Sequence, residues 1–215
     1  MRPRAGLDGR VLARLAEIVG PEHVLVGNSA TLVYECDGFT LERQAPAAAV
    51  LPGSAAEVAQ VVRVLHAAGI PFVPRGAGTS LSGTTIPPHD AVIISLARMN
   101  RILHLDFRNR RAVVEPGVVN AWISREAAPQ GYLYAPDPSS QAACTIGGNV
   151  GTNAGGPHTL KYGVTVNHIL GVELVLPDGQ VVELGGPVED LPGYDLVGLV
   201  TGSEGTLGIV TKIVV

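Results

Sequence analysis

Cysteine and positive charge are both scarce in this sequence. Its two cysteines, Cys36 and Cys144, are too few and too far apart to predict a disulfide framework or a zinc site, so we expect small buried side chains in a reducing compartment. The net charge of -4 at pH 7 gives no general basic surface, which argues against nucleic acid as a partner. The basic cluster from Arg108 to Arg111 is interpreted as a turn between strands rather than as a phosphate-binding patch.

Long apolar runs and metal-ligand spacings are missing as well. Residues 1–20 do not show the pattern of a signal peptide, and no run approaches about 18 consecutive apolar residues. We therefore expect no transmembrane segment and a cytoplasmic protein, with peripheral attachment to a membrane through a partner as an alternative. The six histidines show no spacing suited to two metal ligands, which predicts that the chain has no metal site.

Glycine and proline, in contrast, are abundant. The 215 residues include 27 glycines and 16 prolines, well above the usual share of these residues in globular proteins. Hydrophobic residues make up 46% of the sequence, which indicates a packed globular protein. We therefore expect a folded core in which loops form much of the structure.

Apolar periodicity predicts a β-α-β unit in the first half of the chain. A surface helix is expected over residues 8–19, and a buried strand over residues 47–52. Ser54 and Glu57 form a capping box before a second helix, and the next strand is predicted over residues 70–74. This strand leads directly into a glycine loop.

The second half is predicted to be mainly antiparallel. It contains short apolar runs separated by turn residues, one helical stretch over residues 120–128, and a hairpin with its turn at residues 177–179. Residues 136–162 are expected to be irregular, and a loop of that length suggests a function. Together these patterns predict an α+β fold.

The glycine loop PRGAGTSLSG occupies residues 74–83. Leu81 stands where a Rossmann turn has its third glycine and no helix is predicted next, so the Rossmann interpretation fails. A Walker motif is excluded because no glycine here is followed by lysine and serine or threonine. The remaining options are an anion-binding loop of backbone N–H groups and a plain surface turn.

Two later segments favour ligand binding. The segment from Pro136 to Gly163 is dense in glycine and small polar residues, which suits close approach of the backbone to a flat ligand, although a bulged core loop remains an alternative. The segment TGSEGTLGIV, residues 201–210, is not a serine nucleophile elbow, because Thr201 replaces its first glycine and a strand is predicted after it.

In this order, the segments PRGAGTSLSG, PDPSSQAACTIGGNVGTNAGG, GVELVLPDGQVV and GSEGTLGIV resemble the FAD-binding domain of the vanillyl-alcohol oxidase and p-cresol methylhydroxylase (PCMH-type) flavoprotein family. Within that family the sequence is most similar to FAD-linked glycolate oxidase subunits and D-lactate and other D-2-hydroxy-acid dehydrogenases. The resemblance covers essentially residues 1–215. It implies two α+β subdomains, one small with a β-α-β unit and one with a mainly antiparallel sheet and helices, and an FAD between them.

The resemblance also implies cofactor-binding roles for three groups of residues. The first group would hold the pyrophosphate by backbone donors, the second would line the flavin and phosphate region, and the third would close the site. These groups are Pro74, Arg75, Gly76, Ala77, Gly78, Thr79 and Ser80; Thr145, Gly148, Asn149, Thr152 and Asn153; and Glu204, Gly205 and Ile209. Some relatives attach the flavin through a histidine where this chain has Thr79, so noncovalent FAD is implied.

The same resemblance implies how the domains are arranged. It predicts an N-terminal helical segment over residues 1–45 and FAD-binding subdomains over residues 46–108 and 109–215, with the pyrophosphate loop at residues 74–83. Relatives continue into a substrate or cap domain that supplies most of the substrate-binding residues. The chain is therefore expected to be incomplete, either as a fragment or as a subunit that a separate chain completes, and no catalytic residue is assigned.

The implied function is oxidation of a 2-hydroxy acid of the glycolate or D-lactate type. Hydride would pass to flavin N5, and the electrons would continue to an iron-sulfur, quinone or cytochrome partner. Two alternatives remain open: a noncatalytic FAD-binding subunit of a heteromeric glycolate oxidase, and another oxidoreductase on the same FAD fold. In either case we expect little or no turnover of glycolate or lactate by this chain alone.

Overall fold

A computed structural model describes residues 7–186 and 192–215. Its helices and strands combine in two sheets, and short 3-10 turns lie at Pro21–His23, Leu32–Tyr34, Ala128–Gln130 and Thr165–His168. In chain order the elements are α1 (Gly9–Val19), β1 (Val24–Val26), α2 (Asn28–Thr31), β2 (Ala48–Val50), α3 (Ala55–Ala68), β3 (Phe72–Arg75), β4 (Val92–Ser95), β5 (Ile102–Asp106), β6 (Arg111–Val114), α4 (Asn120–Ala127), α5 (Ile146–Thr152), α6 (Thr159–Tyr162), β7 (Gly171–Val175), β8 (Val181–Gly185), α7 (Leu196–Val200) and β9 (Ile209–Val214).

The first sheet contains the predicted β-α-β unit. Its strand order is β1-β2-β4-β3, with β4 parallel to both β2 and β3 and with β1 antiparallel to β2. Every residue of β2 and β4 is buried, which explains why all of them except Ser95 are apolar. Helices α1 and α3 pack their apolar faces against this sheet and form the first core cluster.

The capping residues begin α3 as predicted, with one difference in detail. The Ser54 hydroxyl accepts a hydrogen bond from the Glu57 N–H at 3.2 Å. The Glu57 carboxylate accepts from the Gly53 N–H at 2.8 Å, one residue before the position that a standard capping box uses. Gly69 ends the helix in the left-handed region at φ +66°.

The second sheet is antiparallel, with strand order β5-β6-β9-β7-β8. It includes both predicted turns: the basic cluster lies between β5 and β6, and the hairpin of β7 and β8 turns at residues 176–180. Helices α4, α5 and α7 supply buried residues to its core. The two sheets and their helices confirm the predicted α+β fold class.

The two sheets share part of one core. Val175 of β7 and Ile209 of β9 are buried in the same cluster as α1, α3 and the first sheet. The Arg63 guanidinium of α3 also donates to the Gly179 carbonyl in the β7–β8 turn at 2.8 Å. Helix α3 therefore connects the β-α-β unit to the hairpin.

Some expectations from the sequence were wrong in detail. Residues 146–152 form helix α5 within the stretch expected to be irregular. The Thr145 hydroxyl caps this helix, and the glycines within it allow close contacts that are described below. Residues 159–162 form α6.

The expected domain boundary after residue 108 falls in the turn between β5 and β6, both of which lie in the second sheet. The division into domains itself stays a prediction.

Two further observations concern expectations about location. Cys144 is buried as predicted, Cys36 is half-buried, and both are free thiols. Within residues 7–186 and 192–215, no helix combines the length and the hydropathy needed to cross a membrane.

Candidate functional site

Three chain segments that are distant in sequence meet where β3 leaves the first sheet. A Cβ atom at Gly76 would lie 2.5 Å from the Thr145 hydroxyl, and one at Gly205 would lie 2.5 Å from Cγ of Pro74. The Glu204 N–H donates to the Gly151 carbonyl at 2.8 Å. The loop after β3, the start of α5 and the turn before β9 therefore approach one another closely, and glycine makes the approach possible.

A cavity of about 280 Å³ lies between the loop and α5. A recess of about 80 Å³ shares Gly76, Thr145 and Gly148 with its lining and borders the turn before β9. Every predicted cofactor-binding residue lines one or both, except Asn153. The largest described cavity, about 740 Å³, lies elsewhere, beside β5, β6 and α4, and contains none of those residues. We place the candidate site in the 280 Å³ cavity and the adjoining recess because the three predicted segments line these two spaces together.

Asn153 has a structural role at the end of α5. It adopts the left-handed conformation at φ +48°, and its side-chain oxygen accepts a hydrogen bond from the Val166 N–H at 2.9 Å. Asn153 lines neither the cavity nor the recess, and its contact with a cofactor stays a prediction.

Sequence reasoning also missed several residues of the cavity. The additional lining residues include Thr84, Thr85, Ser140, Cys144, Gly147, Gly151 and Ser203. Gly147 and Gly151 belong to the glycine-rich segment, so their spacing was the signal that could have identified them. A Cβ atom at Gly147 would lie 2.6 Å from Cβ of Pro116, which explains a glycine there by packing alone.

The loop after β3 presents unused hydrogen-bond donors. No acceptor within the described ranges receives the backbone N–H groups of residues 76–80. Gly78 lies in the left-handed region at φ +68°, so the chain curves where these donors are grouped. Consecutive free N–H groups on a curved backbone are suited to an anion such as a phosphate.

The Arg75 side chain lies behind this loop. Its guanidinium donates to the Cys36 carbonyl at 2.8 Å, to the Thr85 hydroxyl at 2.9 Å and to the Val33 carbonyl at 3.2 Å. Burial lowers the pKa of Arg75 below its ordinary value, and the nearby carboxylate of Asp37 opposes that shift. Its hydrogen bonds therefore go to protein groups, and a contribution of Arg75 to phosphate binding has to come from its backbone or its charge.

Asn149 offers a donor inside the cavity. The residue is 2% exposed, and its side-chain Nδ2 is buried with no hydrogen-bond partner among the described residues. An unpaired buried amide is unfavourable. An oxygen or ring-nitrogen acceptor of a ligand would satisfy it once the Asn149 side chain turns this nitrogen toward the cavity that the residue lines.

Comparison with known proteins decides the family. Residues 46–185 match the family described as FAD binding domain. The chain belongs to this family. FAD is accordingly the cofactor of the domain, and two features of the cavity fit it: the free N–H groups of residues 76–80 suit its pyrophosphate, and Asn149 Nδ2 suits an acceptor atom.

Curated relatives extend beyond the FAD-binding domain. The chain is 46% identical over 205 residues to the glycolate oxidase subunit GlcD of Escherichia coli (strain K12), which covers 95% of this chain and 41% of that protein. It is 40% identical over 197 residues to D-lactate dehydrogenase of Anaerostipes hadrus, covering 91% of this chain and 41% of that protein. The FAD-binding domain described here thus spans less than half the length of these relatives.

Solved structures confirm the fold. An alkyldihydroxyacetonephosphate synthase superposes with a TM-score of 0.86 at 25% identity, over 100% of this chain and 41% of that one. p-Cresol methylhydroxylase superposes with a TM-score of 0.81 at 24% identity, over 95% of this chain and 43% of that one. The predicted resemblance to PCMH-type flavoproteins is therefore confirmed.

A side-chain contact in the glycine-rich segment yields a prediction about pH. The Asp137 carboxylate contacts the ring of His158 across the two ends of the glycine-rich segment, and this hydrogen bond holds the pKa of Asp137 below its ordinary value of 3.8. A lowered carboxylate pKa stabilises the folded state above the unfolded pKa, and the stabilisation is lost as the pH falls through the folded pKa. Asp137→Asn should therefore lower the urea midpoint near neutral pH, and its difference from the original protein should shrink below pH 3.8. A difference that stays constant across this range would contradict the assignment.

Proposed function

We propose that this chain provides the FAD site of a flavin-dependent dehydrogenase or oxidase acting on a 2-hydroxy acid of the glycolate or D-lactate type. The observation that carries the proposal is the convergence of three glycine-containing segments on a cavity and its adjoining recess, with unused backbone donors in the loop. The identity to a glycolate oxidase subunit and a D-lactate dehydrogenase supports the substrate class.

The chain's own residues bind and orient the cofactor. FAD, when bound, supplies two-electron chemistry by accepting a hydride at flavin N5. The N–H groups of residues 76–80 hold the pyrophosphate, and Asn149 donates from the buried side of the cavity. Thr145 and Gly148 form the wall opposite the loop, and Glu204, Gly205 and Ile209 close the recess.

We propose that FAD is bound noncovalently. Thr79 lines the cavity, and its hydroxyl is not a nucleophile for the flavin ring comparable to a histidine nitrogen. Denaturing the flavin-loaded protein with acid should release all of the flavin into the supernatant. Yellow colour remaining in the precipitated protein would contradict this assignment.

The substrate site requires groups beyond those described. Because the chain spans 41% of the lengths of its named relatives, we propose that additional polypeptide, as a further domain or a second subunit, completes the site. An iron-sulfur, quinone or cytochrome partner would accept the electrons. The free thiols of Cys36 and Cys144 are compatible with the cytoplasmic location that we propose.

The decisive experiment has two stages. The purified chain is first titrated with FAD while flavin fluorescence is recorded, and one flavin per chain is expected. The flavin-loaded protein, together with any polypeptide that copurifies with it, is then mixed without oxygen with glycolate, D-lactate or L-lactate. Bleaching of the flavin absorbance by glycolate or D-lactate supports the substrate class. Failure to bind FAD would refute the proposal at its first step.

Asn149 allows a sharper test of the cavity. Asn149→Leu removes an unpaired buried donor, so the cofactor-free protein should be as stable as the original or more stable. FAD binding should weaken by about tenfold, the factor for one lost hydrogen bond inside a site. Fluorescence titration gives the Kd, and thermal melting without FAD gives the stability.

Asn153→Gly is the matched control for this change. It keeps the left-handed backbone and removes a side chain whose hydrogen bond goes to Val166, so the FAD Kd should stay unchanged. If Asn149→Leu also left the Kd unchanged, Asn149 would not contact the cofactor.

A further inference from the structure

Arg75 connects the pyrophosphate loop to a chain segment outside the cavity. It ends β3 and is 7% exposed, and two of its three hydrogen-bond acceptors are the Val33 and Cys36 carbonyls. The third acceptor, the Thr85 hydroxyl, lies in the chain just after the loop. The guanidinium also lies over the Tyr34 ring, 5.5 Å from its centroid.

Residues 33–39, which we call the strap, pack against the outer surface of that loop. A Cβ atom at Gly38 would lie 2.7 Å from the Ser80 carbonyl oxygen and 3.2 Å from that of Thr79. The strap has its own internal support, because the Asp37 carboxylate accepts from the Phe39 N–H at 2.8 Å. The backbones of strap and loop are therefore in direct contact.

The charge arrangement is consistent with a fixed role for Arg75. Asp37 is 5% exposed, and one of its carboxylate oxygens is buried with no hydrogen-bond partner in the described parts of the chain. Its negative charge favours the charged form of Arg75. Removing the Arg75 charge would leave the buried Asp37 carboxylate without this nearby positive charge, which is unfavourable.

The surroundings of Gly78 show how closely the Arg75 side chain contacts the loop. A side chain at Gly78 would occupy the place of the Arg75 guanidinium. The positive group thus lies directly behind the curved backbone whose N–H groups are unused. The loop thus lines the cavity and also contacts the Arg75 side chain and the strap.

We propose that Arg75 is a positioning residue that fastens the strap to the pyrophosphate loop and thereby holds the loop in the shape that binds FAD. This inference rests on the proposed function for the location of the pyrophosphate. The strap lies outside the residues 46–185 that match the FAD binding domain family, so it extends the cofactor site to a segment that the family match does not include.

The test compares four variants of the full chain. Arg75→Met removes the guanidinium at similar length, and Arg75→Lys keeps the charge but cannot reach acceptors on the strap and at Thr85 together. Gly38→Ala separates strap and loop without changing Arg75. Arg63→Met is the control, because Arg63 also donates to a carbonyl but connects α3 to the β7–β8 turn.

Two measurements are made on each variant. Fluorescence titration gives the FAD Kd, and hydrogen exchange of the cofactor-free protein reports the amides of Phe39 and Gln44, whose acceptors lie in or beside the strap. Arg75→Met should raise the Kd by about tenfold or more, as expected for a lost charge-assisted hydrogen bond, and should speed exchange at both amides. Arg75→Lys and Gly38→Ala should change both quantities in the same direction by smaller factors. Arg63→Met should change neither.

The outcomes separate this inference from the proposed function. If Arg75→Met does not fold, Arg75→Lys and Gly38→Ala decide the result. FAD affinities within about twofold of the original protein, with unchanged exchange in the strap, would overturn the inference. If the original protein itself does not bind FAD, the proposed function fails, and the exchange measurements still decide whether Arg75 fastens the strap.

Discussion

Replacing Gly76 with alanine is expected to abolish FAD binding while the protein remains folded. The new methyl group would lie 2.5 Å from the Thr145 hydroxyl, at the point where the loop and the start of α5 approach each other. Thr145 also caps α5 by accepting from the Gly148 N–H, so relief of this contact requires either loss of the cap or movement of the loop. Movement of the loop displaces the N–H donors of the pyrophosphate site.

The expected size of this effect is at least about a hundredfold in Kd, because overpacking of a close contact typically costs about 1–3 kcal/mol and the donors are lost as well. Fluorescence titration measures the affinity, and circular dichroism with thermal melting measures the fold. Gly9→Ala is the control, since a Cβ atom at Gly9 meets nothing within 4 Å. Binding by the Gly76 variant at the affinity of this control would show that the gap between loop and helix is not part of the cofactor site.

Replacing Gly179 with alanine should be the most destabilising of the substitutions considered. Gly179 adopts φ +83° in the β7–β8 turn, and its Cβ atom would lie 2.8 Å from the Ala59 carbonyl oxygen and would overlap the Arg63 side chain. A left-handed alanine costs about 1 kcal/mol and the steric conflict about 1–3 kcal/mol more. The urea midpoint should fall accordingly, because the turn has to separate from α3.

Gly131→Ala separates the two causes of destabilisation at Gly179, the left-handed backbone and the steric conflict. Gly131 has a similar φ of +77°, but a Cβ atom there would meet nothing within 4 Å. This variant should lose only the backbone contribution of about 1 kcal/mol. Equal losses for the two variants would mean that the contact between the hairpin turn and α3 does not contribute to stability.

Local signals in the sequence predicted several elements well. The capping residues Ser54 and Glu57 marked the start of α3, and Pro177 to Gly179 marked the hairpin turn. These signals work because the residues that satisfy a helix end or a tight turn lie within a few positions of it. Their physical cause is contained in the local sequence.

Features that depend on distant contacts could not be predicted in this way. Helix α5 contains three glycines, Gly147, Gly148 and Gly151, and glycine disfavours helix. Its formation depends on the Thr145 cap and on space beside Pro116. The direction of the Arg75 side chain likewise depends on Val33 and Cys36, which no local pattern connects to it.

In the candidate site, too, local sequence predicted some features and distant contacts determined others. The motifs identified the chain segments, and all of the predicted residues except Asn153 line the cavity, the recess or both. Asn149 and Asn153 are four positions apart and both polar, yet only Asn149 lines the cavity, because Asn153 ends the helix in the left-handed conformation. Sequence alone could not separate a residue that lines the cavity from one that ends the helix.

The position of the cavity between segments from both sheets has a consequence for the protein in the cell. A ligand that contacts the loop after β3, the start of α5 and the turn before β9 binds only the folded chain, so it stabilises that state by mass action. Free FAD at a hundred times its Kd would add about 2.7 kcal/mol, a substantial part of the usual stability of about 5–15 kcal/mol. Proteolytic turnover should then slow when flavin is plentiful and accelerate when it is scarce, so the cellular amount of this protein should follow the supply of riboflavin.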